Sequence, residues 1–162
     1  MATSLTSTGI TFPDATTQTT ALDYEEGTWT VEFHDYAGAS GNKSTTTVTG
    51  FYVKTGKQVV AQFYVGDIST SGMTSGNYIF TTLPMASGTS GVDSPLLISG
   101  TCATGVITFP NSATQIVWET SASASKANFM IVKSGAAWDF IRVQNFTSGQ
   151  ADVMATIVYF TA

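Results

Sequence analysis

Hydrophobic and polar residues alternate along most of the chain after Gly27, and this alternation predicts β-strands with one buried face. In Thr28–His34, for example, Trp29, Val31 and Phe33 fall on one face and polar residues fall on the other. Clusters of Gly, Ser, Thr, Asn and Pro separate successive stretches of this kind and are typical of turns. The pattern therefore favours an all-β fold built from short, regularly spaced strands.

About ten strands are predicted, which suggests an antiparallel β-sandwich of the jelly-roll-like kind. Gly56 lies where a hairpin turn needs a positive φ. Helix signals are weak, although a short helix or loop over Ser121–Lys126 stays open. The predicted strands are Thr28–His34, Thr46–Lys54, Gln58–Val65, Asn77–Leu83, Pro95–Ser99, Gly105–Phe109, Gln115–Thr120, Ala127–Lys133, Trp138–Val143 and Asp152–Phe160.

Two of these strands do not alternate, because Phe129–Val132 and Val153–Phe160 are apolar on both faces. One face of a strand in an antiparallel sandwich normally contacts water, so the second apolar face needs cover. Either the strand lies centrally beneath a loop, or its outer face forms the interface of a homo-oligomer. In the second case the interface candidates are Met154, Val158 and Phe160, opposite an inward set formed by Val153, Ala155, Ile157 and Tyr159.

The first 26 residues have a different character from the remainder. Their one apolar patch, Ile10 and Phe12, lies within a run of Thr and Gln. Such a segment is too polar and too short to bury itself. We therefore expect residues 1–26 to be an anchoring segment held by another molecular surface, and residues 27–162 to form the β-sandwich head domain.

The same segment carries a family resemblance. Ile10–Ala21 (ITFPDATTQTTA) resembles a segment that recurs in bacteriophage tail-fibre and virion structural proteins, with Ala15 where that segment usually has Gly. Asp23–Thr30 (DYEEGTWT) resembles the entry to a small C-terminal β-domain in such proteins, with Val31 in place of the usual Pro. Weaker similarities cover residues 51–59 and 155–162, and none covers residues 68–150.

This resemblance implies a virion location and a structural protein, in its commonest form a short trimeric tail fibre or receptor-binding appendage. Ile10, Phe12 and Pro13 would attach it to other virion proteins by docking of an extended chain. A host surface glycan is a further partner compatible with that role. Two alternatives stay open: a capsid decoration or head-fibre protein attached by the same segment, and a free lectin-like carbohydrate-binding module.

Composition and charge narrow the classes of partner. The net charge is −5, and the six basic residues are scattered along the chain, so neither nucleic acid nor an anionic membrane is expected as a partner. No apolar run is long enough to span a bilayer, and no signal peptide is expected. Charged residues make up 10% of the chain, while Ser and Thr supply about 45 residues. A single cysteine, Cys102, excludes an intrachain disulfide.

Residues with catalytic potential are few, so we expect no enzyme activity and no cofactor. His34 and Asp35 are adjacent on a strand and point to opposite faces, so they cannot pair as base and orienting group. Cys102 is expected to be a small buried hydrophobic residue. One His and one Cys cannot form a structural zinc site, and the acidic cluster at Asp23, Glu25 and Glu26 is expected to be a solvated linker.

Carbohydrate chemistry has two sets of candidates. Glycan hydrolysis needs two facing carboxylates, and Glu119, Asp139 and Asp152 lie on or near predicted strands, but the sequence does not bring them together. Carbohydrate binding needs only aromatic platforms and a few polar side chains. The candidate platforms are Tyr36, Tyr52, Tyr64, Tyr78 and Trp138.

Overall fold

The computed structural model describes a β-protein with one large and one small sheet. Side chains are described from residue 23 onwards, and only the backbone is described in the earlier ranges. The described residues are 4–6, 9–11, 17–18, 23–36, 41–88, 100, 102–110, 113–120 and 124–161.

The small sheet is an antiparallel meander near the start of the chain. It contains β1 (Ser4–Thr6), β2 (Gly9–Thr11) and β3 (Thr17–Gln18), with Leu5 opposite Ile10 and Ile10 opposite Gln18. Its backbone pairing satisfies hydrogen-bonding groups that a polar segment of this length cannot bury in a core of its own.

The large sheet contains nine strands, and every pairing between them is antiparallel. These strands are β4 (Tyr24–Asp35), β5 (Lys43–Thr55), β6 (Gln58–Ile68), β7 (Ile79–Thr82), β8 (Cys102–Gly105), β9 (Ala113–Thr120), β10 (Lys126–Lys133), β11 (Asp139–Phe140) and β12 (Ala151–Phe160).

The large sheet curls until its two ends nearly meet. The strand order is β9, β10, β7, β4, β5, β6, β12 and β8. β11 pairs with the same edge of β10 as β7 does. Near the two end strands, the Trp118 N–H in β9 donates a hydrogen bond of 2.9 Å to the Gly100 carbonyl, two residues before β8. The all-β antiparallel prediction is confirmed in the form of an almost closed barrel, whereas a sandwich or jelly roll is not confirmed.

Four aromatic side chains fill the interior of the barrel. Phe33 of β4 lies 5.6 Å from Phe129 of β10 and 6.3 Å from Phe63 of β6, measured between ring centroids. Trp118 of β9 completes the group, at 4.2 Å from Phe129 and 5.8 Å from Phe63. Because these four rings come from strands around the whole curl, their packing holds the sheet in its curved form.

Tyr159 of β12 is a polar group within this core. Its ring is fully buried, and its hydroxyl accepts a hydrogen bond from the Met85 N–H and donates one to the Met85 carbonyl. Burial raises the pKa of Tyr159 to about 12. The hydroxyl thus fixes the segment after β7 against the last strand without leaving a buried polar atom unpaired.

Asp35, at the end of β4, is a fully buried carboxylate. It accepts hydrogen bonds from the backbone N–H groups of Asn42 (2.8 Å) and Thr74 (2.6 Å) and from the Asn42 side chain (3.0 Å). Burial by itself would raise the pKa of Asp35, but these bonds favour the charged form and hold the pKa below its usual value. The carboxylate therefore joins the β4–β5 connection to the loop before β7.

Most of the predicted strands are present, two need correction and one is not tested. The strand predicted at Gly105–Phe109 is wrong, because the strand is Cys102–Gly105 and the chain turns away at Val106, which has a φ of 50°. The strand predicted at Trp138–Val143 is reduced to Asp139–Phe140, followed by a 3₁₀ turn at Val143–Asn145. The prediction at Pro95–Ser99 lies outside the described residues.

The acidic residues expected in a linker belong instead to β4. Glu25 pairs with Lys54 in the sheet register and accepts a hydrogen bond of 2.6 Å from the Tyr52 hydroxyl. Glu26 accepts one of 3.0 Å from Tyr24. The side chains are exposed, as expected, but the backbone is already strand from Tyr24. The predicted positive φ at Gly56 is confirmed, at 58°.

Candidate functional site

The outer surface of β5, β6 and β12 carries no charged side chain across its centre, and we call it the uncharged face. The register aligns its side chains in rows across the three strands, such as Val53 beside Val60 beside Val158. The uncharged face is formed by Phe51, Val53, Val60, Gln62, Tyr64, Met154, Thr156, Val158 and Phe160.

Several large side chains on the uncharged face are open to solvent. Phe51 is 65% exposed, Tyr64 is 56% exposed and Met154 is 50% exposed. A shallow, open depression of about 690 Å³ lies among them and reaches Cys102 at its edge. Scattered exposed apolar residues are ordinary, but several large exposed side chains grouped on one uncharged face mark an interaction surface.

The interface candidates of β12 face outwards, on the side opposite Val153, Ala155, Ile157 and Tyr159, as predicted. Val153, Ile157 and Tyr159 are buried, whereas Met154 and Phe160 are exposed and Val158 is half-buried. Among the described residues, none covers the outer side of β12, and the interface interpretation stays a prediction beside that of cover by a loop. Their role in an oligomer stays a prediction.

The anchor candidates lie in the segment with the small sheet. Ile10 is in β2, and the structure describes its backbone pairing only. Phe12 and Pro13 lie outside the described residues. Attachment through these residues stays a prediction.

A second concave site lies on the opposite part of the sheet, and we call it the Glu119 cavity. It encloses about 350 Å³ and is lined by Tyr36, Tyr78, Glu119, Asn128 and Phe140. Glu119 of β9 lies directly opposite Asn128 of β10 in the sheet register. The rings come from the end of β4, the loop before β7, and β11, so five separate chain segments meet here.

Cations hold two of these rings in place. The Lys126 ammonium donates a hydrogen bond of 3.0 Å to the Tyr36 hydroxyl and lies 4.3 Å from the centre of the Tyr36 ring. The Arg142 guanidinium lies 4.5 Å from the centre of the Tyr78 ring and is itself anchored to the Gly76 carbonyl at 2.7 Å. The aromatic wall is therefore fixed before any ligand arrives.

Among the described residues, Glu119 is the one carboxylate that lines the cavity, and its Oε2 is buried without a hydrogen-bond partner. Burial raises the pKa of Glu119 above its usual value. A buried acceptor left unpaired is costly, so its presence beside a cavity indicates a site where an external donor is accommodated.

The other candidate carboxylates are engaged elsewhere. Asp139 accepts a hydrogen bond of 3.1 Å from Lys133, and Asp152 accepts one of 3.0 Å from the Asp67 N–H. Neither lines the Glu119 cavity. Of the three candidate carboxylates, only Glu119 therefore lies among the aromatic rings.

His34 and Cys102 have structural surroundings. His34 contacts Glu32 at 3.1 Å and stacks on Phe80 at 5.2 Å, on the face of β4 opposite Asp35. Cys102 is half-buried against the core, and burial raises the pKa of its thiol to about 11, which keeps it protonated. Within the described ranges, no three acidic, His or Cys side chains are grouped closely enough to hold a metal ion.

Sequence reasoning found part of both surfaces. Tyr36 and Tyr78 were candidate platforms and do line the Glu119 cavity, and Trp138 supports it at 5.3 Å from Phe140. Asn128 was missed because its position in a mostly apolar strand gave no signal. Phe51 was missed because only the register shows that it lies on the same face as β12.

Comparison with known proteins gives no assignment: no protein-family model matches the chain, and no curated protein matches it. No helix in the described part of the chain is long and apolar enough to cross a membrane.

Proposed function

We propose that this protein is a structural component of a bacteriophage virion, a short trimeric tail-fibre or receptor-binding appendage. Residues 1–26 attach it to other virion proteins, and the β-barrel forms the exposed head. The identity rests on the resemblance of Ile10–Ala21 and Asp23–Thr30 to segments of such proteins. The observation in the fold that supports an assembly role is the uncharged face.

The uncharged face has the properties of a surface that meets another copy of the same chain. Interfaces are depleted of charge at their centre and enriched in aromatic residues and Met, as this face is with Phe51, Tyr64, Met154 and Phe160. Copies with a net charge of −5 repel each other. Electrostatic repulsion between them is therefore weakest where they approach through an uncharged patch. The trimeric state itself comes from the resemblance.

Replacement of Met154 by Asp tests this assembly. We expect light scattering to give a molar mass of about three times 17.0 kDa for the full chain. For the Met154→Asp variant it should give the mass of a monomer. The reason is that association would bury a carboxylate without a partner within the interface.

The matched control is Gln115→Asp, which places the same charge at an exposed position of β9, away from the uncharged face. It should keep the trimer mass. A wild-type chain that runs as a monomer, or a Met154→Asp variant that keeps the wild-type mass, would contradict the proposed assembly.

Attachment is tested separately in phage particles. The double variant Ile10→Asp with Phe12→Asp should be absent from purified particles while the free protein keeps its β-sheet circular dichroism signal, because charges cannot enter apolar pockets of a neighbour. A Thr17→Asp, Thr19→Asp variant adds the same charge to the segment and should still be incorporated. Full incorporation of the Ile10 and Phe12 double variant would refute the anchor.

A further inference from the structure

The Glu119 cavity has the mixture of surfaces that defines a small-molecule site. Ligand pockets are typically about 300–1,000 Å³, mostly aromatic or apolar, with a few fixed polar groups. Here the volume is about 350 Å³, three aromatic side chains form the wall, and a carboxylate and an amide supply the polar groups. The size suits one or two sugar rings better than a long chain.

The aromatic wall is rigid and partly open to solvent. Tyr36 is 49% exposed, and its ring is supported edge-on by Phe80 at 5.9 Å. Tyr78 packs against Phe140 at 4.9 Å, and its backbone carbonyl accepts a hydrogen bond of 2.8 Å from the Tyr36 N–H. A ligand with a flat apolar face can therefore pack on these rings with little ordering cost.

The polar groups restrict the chemistry of that ligand. An apolar ligand would leave the buried Glu119 Oε2 unpaired. A phosphate or other anion would be repelled by the same carboxylate. A quaternary ammonium is disfavoured because Lys126 and Arg142 already lie over the Tyr36 and Tyr78 rings. A neutral ligand with both hydroxyl donors and an apolar face satisfies all three constraints.

We propose that the Glu119 cavity is a carbohydrate-binding site for a neutral sugar, with the apolar face of one pyranose ring on the aromatic wall and a sugar hydroxyl donating to Glu119. The inference goes beyond a position in a virion and holds whether or not the chain is part of one. None of the described residues that line the Glu119 cavity belongs to the uncharged face, so the two surfaces have separate linings.

Saturation-transfer NMR on the full chain tests the proposal, with glucose, galactose, mannose and N-acetylglucosamine as probes. At least one of these sugars should receive saturation from the protein, and a sample without protein should show no transfer. Tyr36→Ala should weaken the binding of that sugar by about tenfold or more, since stacking on one ring is lost. Phe109→Ala removes a similarly exposed ring that does not line the cavity and should leave the affinity unchanged.

Glu119→Gln separates a ligand-binding role from a structural one. The variant keeps an acceptor but removes the charge, so the sugar should bind about tenfold more weakly. The melting temperature should stay the same or rise, because a buried unpaired charge is gone. Failure of all four sugars to bind would overturn the proposal. So would wild-type affinity in Tyr36→Ala, or binding of tetramethylammonium in place of sugars.

Discussion

Phe129→Ala is expected to lower the free energy of unfolding by about 3–5 kcal/mol, the range for removing a buried aromatic ring. Phe129 is fully buried and contacts Trp118 at 4.2 Å and Phe33 at 5.6 Å, so its loss leaves a cavity between rings of three strands. Urea unfolding monitored by tryptophan fluorescence measures the change, as a lower midpoint with an unchanged slope.

Phe109→Ala is the matched control for this experiment. Phe109 carries the same ring but lies half exposed in the segment after β8. Its replacement should cost less than about 1 kcal/mol. Equal losses for the two variants would mean that the aromatic interior described above does not hold the sheet in its curved form.

Asp35→Ala is expected to have an effect of similar size, about 3–5 kcal/mol at pH 7. Removal of the carboxylate breaks the hydrogen bonds that the Asn42 and Thr74 N–H groups donate to it, and a hydrogen bond to a charged group contributes about 1.5–3 kcal/mol. The exposed control Asp23→Asn, which loses only an ion pair to Lys54, should cost about 0–1 kcal/mol.

The contribution of Asp35 should also depend on pH in a defined direction. Its pKa is lower in the folded protein than the usual value of about 3.9 in an unfolded chain, so folding favours the deprotonated form. The stabilisation by Asp35 is complete above the pKa of the unfolded chain. It is lost as the pH falls through the lower pKa of the folded protein. The difference in unfolding free energy between wild type and Asp35→Asn should therefore shrink between pH 5 and the most acidic pH that the fold survives; a difference that is constant with pH would contradict this.

The strands were predictable because alternation reports burial directly. Val31 and Phe33 of β4, like Val153 and Ile157 of β12, are buried as their parity predicts. The closure of the sheet was not predictable, because it depends on pairings between distant strands, such as β12 between β6 and β8, that leave no local pattern.

The candidate sites were also only partly predictable from the sequence. Single residues such as Tyr36, Glu119 and Met154 could be selected from the sequence by residue type and parity. Their grouping could not, because Glu119 meets Tyr36 only through the register of β9, β10, β7 and β4. Asp35 was recognised as facing away from His34, yet its role required the positions of Asn42 and Thr74.

β12 is synthesised after every other strand of the large sheet, yet it lies inside the sheet and pairs with β6 over most of its length. The second edge of β6 therefore stays unpaired until the last of these strands has been synthesised. Prematurely terminated chains lack both this neighbour and Met154, Val158 and Phe160. In the proposed assembly, completion of the large sheet and completion of the uncharged face would therefore depend on the same strand.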